Sequence, residues 1–200
     1  MKFELSKRDQ FRKLAKHKGY RSRSAFKLKQ INGTYRIFKK GNVVVDIGCS
    51  PGGWLQIALE EVGHNGKVVG IDLKKLDPIE GVIFLHGSIE DEFIKEKLNQ
   101  LTDSQVDVIL SDIAPNLSGN WEYDHARQIF LTKSVLELTK KISKRKSKGI
   151  FKVFQGDMLN DLIIELRNNF ENVIISKPLA SRPASSELYL VCLNFIGRLK

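Results

Sequence analysis

This chain of 200 residues should form an α/β protein with a doubly wound, mostly parallel seven-stranded sheet. Helices should cover both faces, and the last strand should run antiparallel. Two observations carry that expectation. Seven short runs rich in Val, Ile, Leu and Phe recur along the chain, and segments of helical spacing separate most of them. The final two runs are joined by a connection too short to hold a crossover helix, so they must pair antiparallel.

The runs fall at 43–48 (VVVDIG), 67–73 (KVVGIDL), 81–87 (GVIFLHG), 106–112 (VDVILSD), 149–154 (GIFKVF), 172–177 (NVIISK) and 187–195 (ELYLVCLNF). Before the fifth, Leu131, Val135, Leu138 and Ile142 line one helical face. Before the sixth, Met158, Leu162, Leu166 and Phe170 recur at every fourth residue and line another. The Lys-rich KKISKRKSKG at 140–149 reads as a basic helix end and loop. Only PLASRPASS separates the last two strands. With 42% hydrophobic and 28% charged residues the chain can bury a proper core, and a single domain over 1–200 is expected.

The net charge of +10 is concentrated at one end. Residues 1–40 hold fourteen Lys and Arg against Glu4 and Asp9, leaving nineteen basic against twenty-one acidic residues elsewhere. A basic block so confined marks a polyanion partner, whereas a solvated face would need no such clustering. Phe11, Leu14, Tyr20 and Phe26 interrupt it without forming one amphipathic stripe, which favours RNA over a membrane surface. No apolar stretch approaches the roughly 18 residues of a membrane span, and no secretory h-region follows the N-terminus, so a cytoplasmic location is expected. Cys49 and Cys192 fit neither a disulfide framework nor a CxxC site. His17, His64, His86 and His125 lack metal-ligand spacing, and no metal is expected.

In VVVDIGCSPGGW a strand carries Asp46, passes through Gly48, and turns through Pro51, Gly52 and Gly53 into a helix opening at Trp54. Glycines at such a turn let a ligand approach the backbone. Cys49-Ser50-Pro51 occupies the middle, so the dinucleotide fingerprint fails and no pyrophosphate cradle is implied. Asp72 ends the next strand, where a carboxylate can accept hydrogen bonds from ribose hydroxyls. A nucleoside without phosphates fits both facts, and S-adenosylmethionine is the candidate cofactor.

Four ionisable residues stand where structure alone would not place them. Lys27 lies between Phe26 and Leu28, Asp112 follows an apolar strand, Lys152 interrupts the fifth strand, and Glu187 opens the last. Ligands of a parallel sheet bind beyond the carboxyl ends of its strands, where Asp112, Lys152 and the start of an antiparallel final strand would meet. Methyl transfer to a ribose hydroxyl calls for a base. Burial and a second lysine favour a neutral Lys152, while the two carboxylates favour its ammonium form.

The segments YRSRSAFKL, VVVDIGCSPGGW, GIDLKKLDPIEGVIFLHGSIEDE, SDIAPNLSG, FKVFQG and SRPASSELYLV together resemble the FtsJ family of ribosomal RNA ribose 2′-O-methyltransferases, over about residues 18–198. The resemblance implies a Rossmann-like fold, S-adenosylmethionine as methyl donor, and a uridine of large-subunit rRNA as substrate. It implies a catalytic tetrad of Lys27, Asp112, Lys152 and Glu187, with Lys152 the proton acceptor. It implies cofactor contacts at Asp46, Gly48, Pro51, Gly52, Gly53, Trp54, Asp72, Ser88, Ile89 and Asp112. Ser88 departs from the family pattern, since bacterial members usually carry Asp there, so the adenine contact should be weaker or pass to the Ser88 hydroxyl and the Ile89 backbone. Lys7, Arg8, Arg12, Lys13, Lys18, Arg21, Arg23 and Arg182 would hold RNA phosphates. A monomer acting on rRNA, within the large subunit, is expected. The alternatives are the tRNA anticodon loop as substrate, or a non-catalytic RNA-binding module. Trp121, in SGNWEYD, could stack on a base or simply pack.

Overall fold

The computed structural model describes residues 2–182 and 184–197, with side chains from residue 10 onward. Helices α1 (Lys2–His17) and α2 (Ser24–Tyr35) precede β1 (Val43–Ile47), α3 (Gly53–Val62), β2 (Lys67–Asp72) and β3 (Val82–His86). Then come α4 (Glu92–Thr102), β4 (Val106–Ser111), α5 (Trp121–Ile142), β5 (Ser143–Phe154), α6 (Leu159–Arg167), β6 (Phe170–Ser176) and β7 (Glu187–Phe195). The strands form one sheet in the order β3-β2-β1-β4-β5-β7-β6. Strands β1 to β5 pair parallel, and β7 runs antiparallel between β5 and β6, as the short connection requires.

Alternation along the strands splits the core in two. Val44, Val68, Val108, Ile150 and Val191 face α2 and α3, whereas Val45, Val69, Ile109, Phe151 and Leu190 face α4, α5 and α6. Helix starts are set locally: Asp91 caps α4 by accepting from the Phe93 N–H, and Asn120 caps α5 by accepting from the Tyr123 N–H. Among the described residues no helix is long and apolar enough to cross a membrane.

Two local expectations need correction. Phe170 does not extend the apolar face of α6; that helix stops at Arg167, and Phe170 opens β6, paired with Phe195 and stacked edge-on against Phe151. A four-residue spacing cannot distinguish one more helical turn from the strand that follows. The Lys-rich 140–149 segment is also not a loop. The chain passes from α5 directly into β5 at Ser143, with an irregularity between the pairs Val106↔Ser143 and Val108↔Lys148. Lys146 takes a left-handed backbone (φ 66°) inside it. This end of β5 is exposed, so its lysines hide a strand that apolar patterning would have revealed.

Strand order reverses between β1 and β4, since β1 continues outward to β2 and β3 while β4 leads to β5 on the other side. The crevice at the carboxyl ends of these strands is where such a sheet binds its ligand.

Candidate active site

A cleft of about 810 Å³ opens there, lined by Gly48, Asp72, Ser88, Ile89, Asp112 and Lys152 among others. Gly48 makes the closest backbone approach. It has φ 75°, and a Cβ built on it would lie 2.7 Å from Ile113 Cα and 2.8 Å from Ile113 N. Only glycine lets the loop after β1 pass the loop after β4. Asp72 fixes the rim: its two oxygens accept the N–H groups of Ser50 and Lys74, each at 2.8 Å. The Ser88 hydroxyl accepts from Glu90 N–H at 3.1 Å.

The remaining residues of the glycine turn stand back from the cleft wall. Asp46 is wholly buried with no hydrogen-bond partner on either oxygen, and burial, then the charges of Asp112 and Asp72, push its carboxyl well up. Trp54 is 2% exposed; its indole N–H donates to Ser24 O at 2.9 Å and its ring packs on Tyr189 at 5.8 Å. It ties the start of α2 to β7. Pro51, Gly52 and Gly53 shape the turn without lining the cleft.

The four charged residues converge. Alternation puts Ile150 on the α2 side of the sheet and Phe151 and Val153 on the other, so Lys152 leans toward α2. Lys152 pairs in register with Tyr189, and Phe154 with Glu187. The Lys152 Nζ donates to the Asp112 carbonyl oxygen at 2.6 Å and lies 3.0 Å from Asp112 Oδ1. From α2, Lys27 Nζ donates to Glu187 Oε2 at 2.8 Å and to the Tyr189 hydroxyl at 3.1 Å. Both lysines are only 6% exposed, so each ammonium is held by partners rather than by water.

The pairs are electrostatically one group. Burial would raise the Glu187 carboxyl, but the charge and hydrogen bond of Lys27, with the charge of Lys152, leave it below its ordinary value of 4.5. The Tyr189 hydroxyl is pushed well up by burial, then by Asp112 and Glu187. A carboxyl lowered in the folded state stabilises the fold above its unfolded value and loses that contribution as pH falls through the folded one. Urea midpoints of the wild type should therefore fall as pH drops below about 4.5, and the Glu187→Gln variant should show a shallower fall. Parallel pH profiles would contradict the pairing.

Two residues that sequence reasoning did not select hold this group in place. Gln128, fully buried on α5, donates from Nε2 to Lys152 O at 2.8 Å and to Ile113 O at 3.1 Å. One amide thus clamps the strand bearing Lys152 to the loop that follows Asp112. Gln128→Leu should cost about 1–3 kcal/mol of unfolding free energy, by removing the side-chain donor from the buried Lys152 carbonyl and the part-buried Ile113 carbonyl. Denaturant titration checks this, and an unchanged midpoint would contradict it. Asp124 accepts from the Ser118 N–H and hydroxyl at 2.9 Å each, ordering the same loop.

A second, basic cleft of about 440 Å³ lies at the N-terminal helices, lined by Arg12, Lys16, Arg21, Arg23 and Arg182 among others. The fold thus brings Arg182 to the basic block. Lys16 is an addition to the expected set, and Lys13 and Lys18 are exposed outside this cleft. Arg21 lines this cleft while donating to the carbonyls of Asp77 at 2.6 Å and Pro78 at 2.8 Å. The side chains of Lys7 and Arg8 lie outside the described residues.

A doubly wound sheet with an antiparallel seventh strand and a cleft at its β1/β4 reversal defines a Rossmann-like methyltransferase. The profile of the FtsJ-like methyltransferase family matches residues 20–195, and the chain belongs to that family. It is 51% identical over 191 residues to the ribosomal RNA large subunit methyltransferase E of Methanosarcina mazei, covering 95% of this chain and 70% of that one. The protein of the same name from Nitrosopumilus maritimus is 42% identical over 197 residues, covering 98% of this chain and 100% of the relative. A Plasmodium falciparum crystal structure described as a ribosomal RNA methyltransferase superposes with TM-score 0.80 at 37% identity, covering 90% of this chain and 100% of that chain.

Proposed function

We propose that the protein transfers a methyl group from S-adenosylmethionine to the 2′-hydroxyl of a uridine in large-subunit ribosomal RNA, as a cytoplasmic enzyme of one domain. The observation that carries this reading is a pair of lysine–carboxylate contacts, Lys152–Asp112 on the cleft wall and Lys27–Glu187 linked to it through Tyr189, the in-register neighbour of Lys152. The names of the relatives support ribosomal RNA as the substrate.

The cleft suits the cofactor. Asp72 and Asp112 offer carboxylates for hydroxyl and ammonium groups, and Ile47, Ile71, Ile89 and Ile113 supply apolar walls for a purine ring. Gly48, Ser88 and the Ile89 backbone complete the holding set. S-adenosylmethionine, when bound there, supplies an electrophilic methyl carbon.

The chain's own residues act on the other reactant. Lys152 Nζ, acting as the base, takes the proton of the ribose hydroxyl while the new carbon–oxygen bond forms. Asp112 holds that nitrogen through its carboxylate and carbonyl oxygens. Lys27, fixed by Glu187 and Tyr189, presents a donor that orients the attacking oxygen. Arg12, Lys16, Arg23 and Arg182, with the other basic residues of the N-terminal segment, hold the phosphates. Cys49 is unsuited to covalent base methylation: burial, then the charges of Asp46 and Asp72, push its thiol far up, away from the nucleophilic thiolate.

Methyl-labelled S-adenosylmethionine should label large ribosomal subunits or their RNA, and not tRNA, when incubated with the protein. Label confined to tRNA would move the substrate, and no label in any RNA would overturn the reading.

A further inference from the structure

The chain contains two tryptophans with opposite surroundings. Trp54 is buried, whereas Trp121, in the first turn of α5, keeps 47% of its surface exposed. It is not loosely placed. Its indole lies nearly parallel to the His125 ring, 6.2 Å between centroids and 13° between planes, and packs on Phe154 at 5.8 Å.

The layer beneath Trp121 is tied to the loop after β5. The Met158 N–H donates to His125 Nε2 at 3.2 Å. Gly156 permits that approach, because a Cβ there would lie 2.7 Å from the imidazole. Burial pushes the His125 pKa down, against the raising influence of the Asp157 charge.

The position of the layer is informative. Phe154 sits two residues beyond Lys152 on β5, roughly 7 Å further along the strand, and pairs in register with Glu187. Gln155 N–H donates to Ser186 O at 2.8 Å, so the segment carrying Arg182 ends beside the same strand tip. An exposed, supported aromatic ring therefore packs on the in-register neighbour of Glu187, at the strand end to which the segment carrying Arg182 returns.

We infer that Trp121 is a stacking platform for an unpaired nucleobase next to the ribose that is methylated. The inference rests on the RNA-substrate reading above. Aromatic platforms recognise bases through their π-faces, which every base has, and they are sequence-tolerant. Trp121 would fix the sugar relative to Lys152, while the arginines fix the backbone.

Tryptophan emission tests this directly. Titration with oligouridylate should quench the wild type, and the quench should vanish in Trp121→Phe, which retains only buried Trp54. The signal should persist in salt that weakens the phosphate contacts. Trp121→Ala should raise KM for large-subunit RNA by about 5- to 100-fold, with S-adenosylmethionine affinity unchanged and Trp121→Phe near wild type. A wild type that methylates RNA with unmoved emission, or a Trp121→Ala protein with wild-type KM, overturns the platform and leaves the methyltransferase reading intact. Failure of the wild type to bind or methylate any RNA overturns both.

Discussion

Replacing Lys152 with methionine should lower the rate of methyl transfer by about 100- to 10,000-fold, the range of a lost general base. The substitution keeps most of the side-chain volume, and the lost amine leaves the Asp112 carbonyl without its donor and the Asp112 carboxylate without its ion-pair partner. Cofactor affinity should change little, since Gly48 and Asp72 belong to the ends of β1 and β2, across β4 from the strand that carries Lys152. Single-turnover measurement at saturating RNA and S-adenosylmethionine separates the chemical step from binding. A variant that transfers methyl at the wild-type rate would remove Lys152 from the chemistry. A variant that binds neither substrate would leave it a structural residue.

Gly48→Ala should lower cofactor affinity by at least about 100-fold and destabilise the fold. A residue other than glycine at φ 75° is strained, by about 1–3 kcal/mol in general. The added Cβ, 2.7 Å from a backbone atom of Ile113, must also force two loops apart. Those loops carry the cleft wall and the link to Asp112, whose N–H donates to Ile47 O at 3.1 Å. Calorimetric titration with S-adenosylmethionine and a thermal melt check both effects. Unchanged affinity would show that the loops can separate without harm.

The sheet was legible because its strands are apolar runs broken by turn residues, and its antiparallel end followed from a connection too short to cross over. The tetrad was legible because charge inside or beside apolar strands is costly, so Lys152 and Asp112 stood out from their neighbours. Tyr189 was missed, although it follows Glu187 by two residues and so shares its face of the strand. Its hydroxyl partner, Lys27, lies 162 positions away in sequence. Gln128 was hidden for another reason: a single amide on a helix reads as a surface residue until the helix is docked. The meeting of Arg182 with Arg12 depends on the placement of the last loop against α1 and α2, which local pattern cannot express. Arg21 shows the reverse case, a cation in a basic block whose donors are engaged by carbonyls of its own chain.

The identity of the atom that receives the methyl group separates ribose from base chemistry. Label carried from S-adenosylmethionine into large-subunit RNA can be followed through alkaline hydrolysis, which needs a free 2′-hydroxyl to cleave the adjacent phosphodiester. If a ribose oxygen beside Lys152 is the acceptor, the label should emerge in an alkali-resistant dinucleotide whose first residue is uridine. Label emerging in a mononucleotide, on the base, would contradict the assignment of the tetrad.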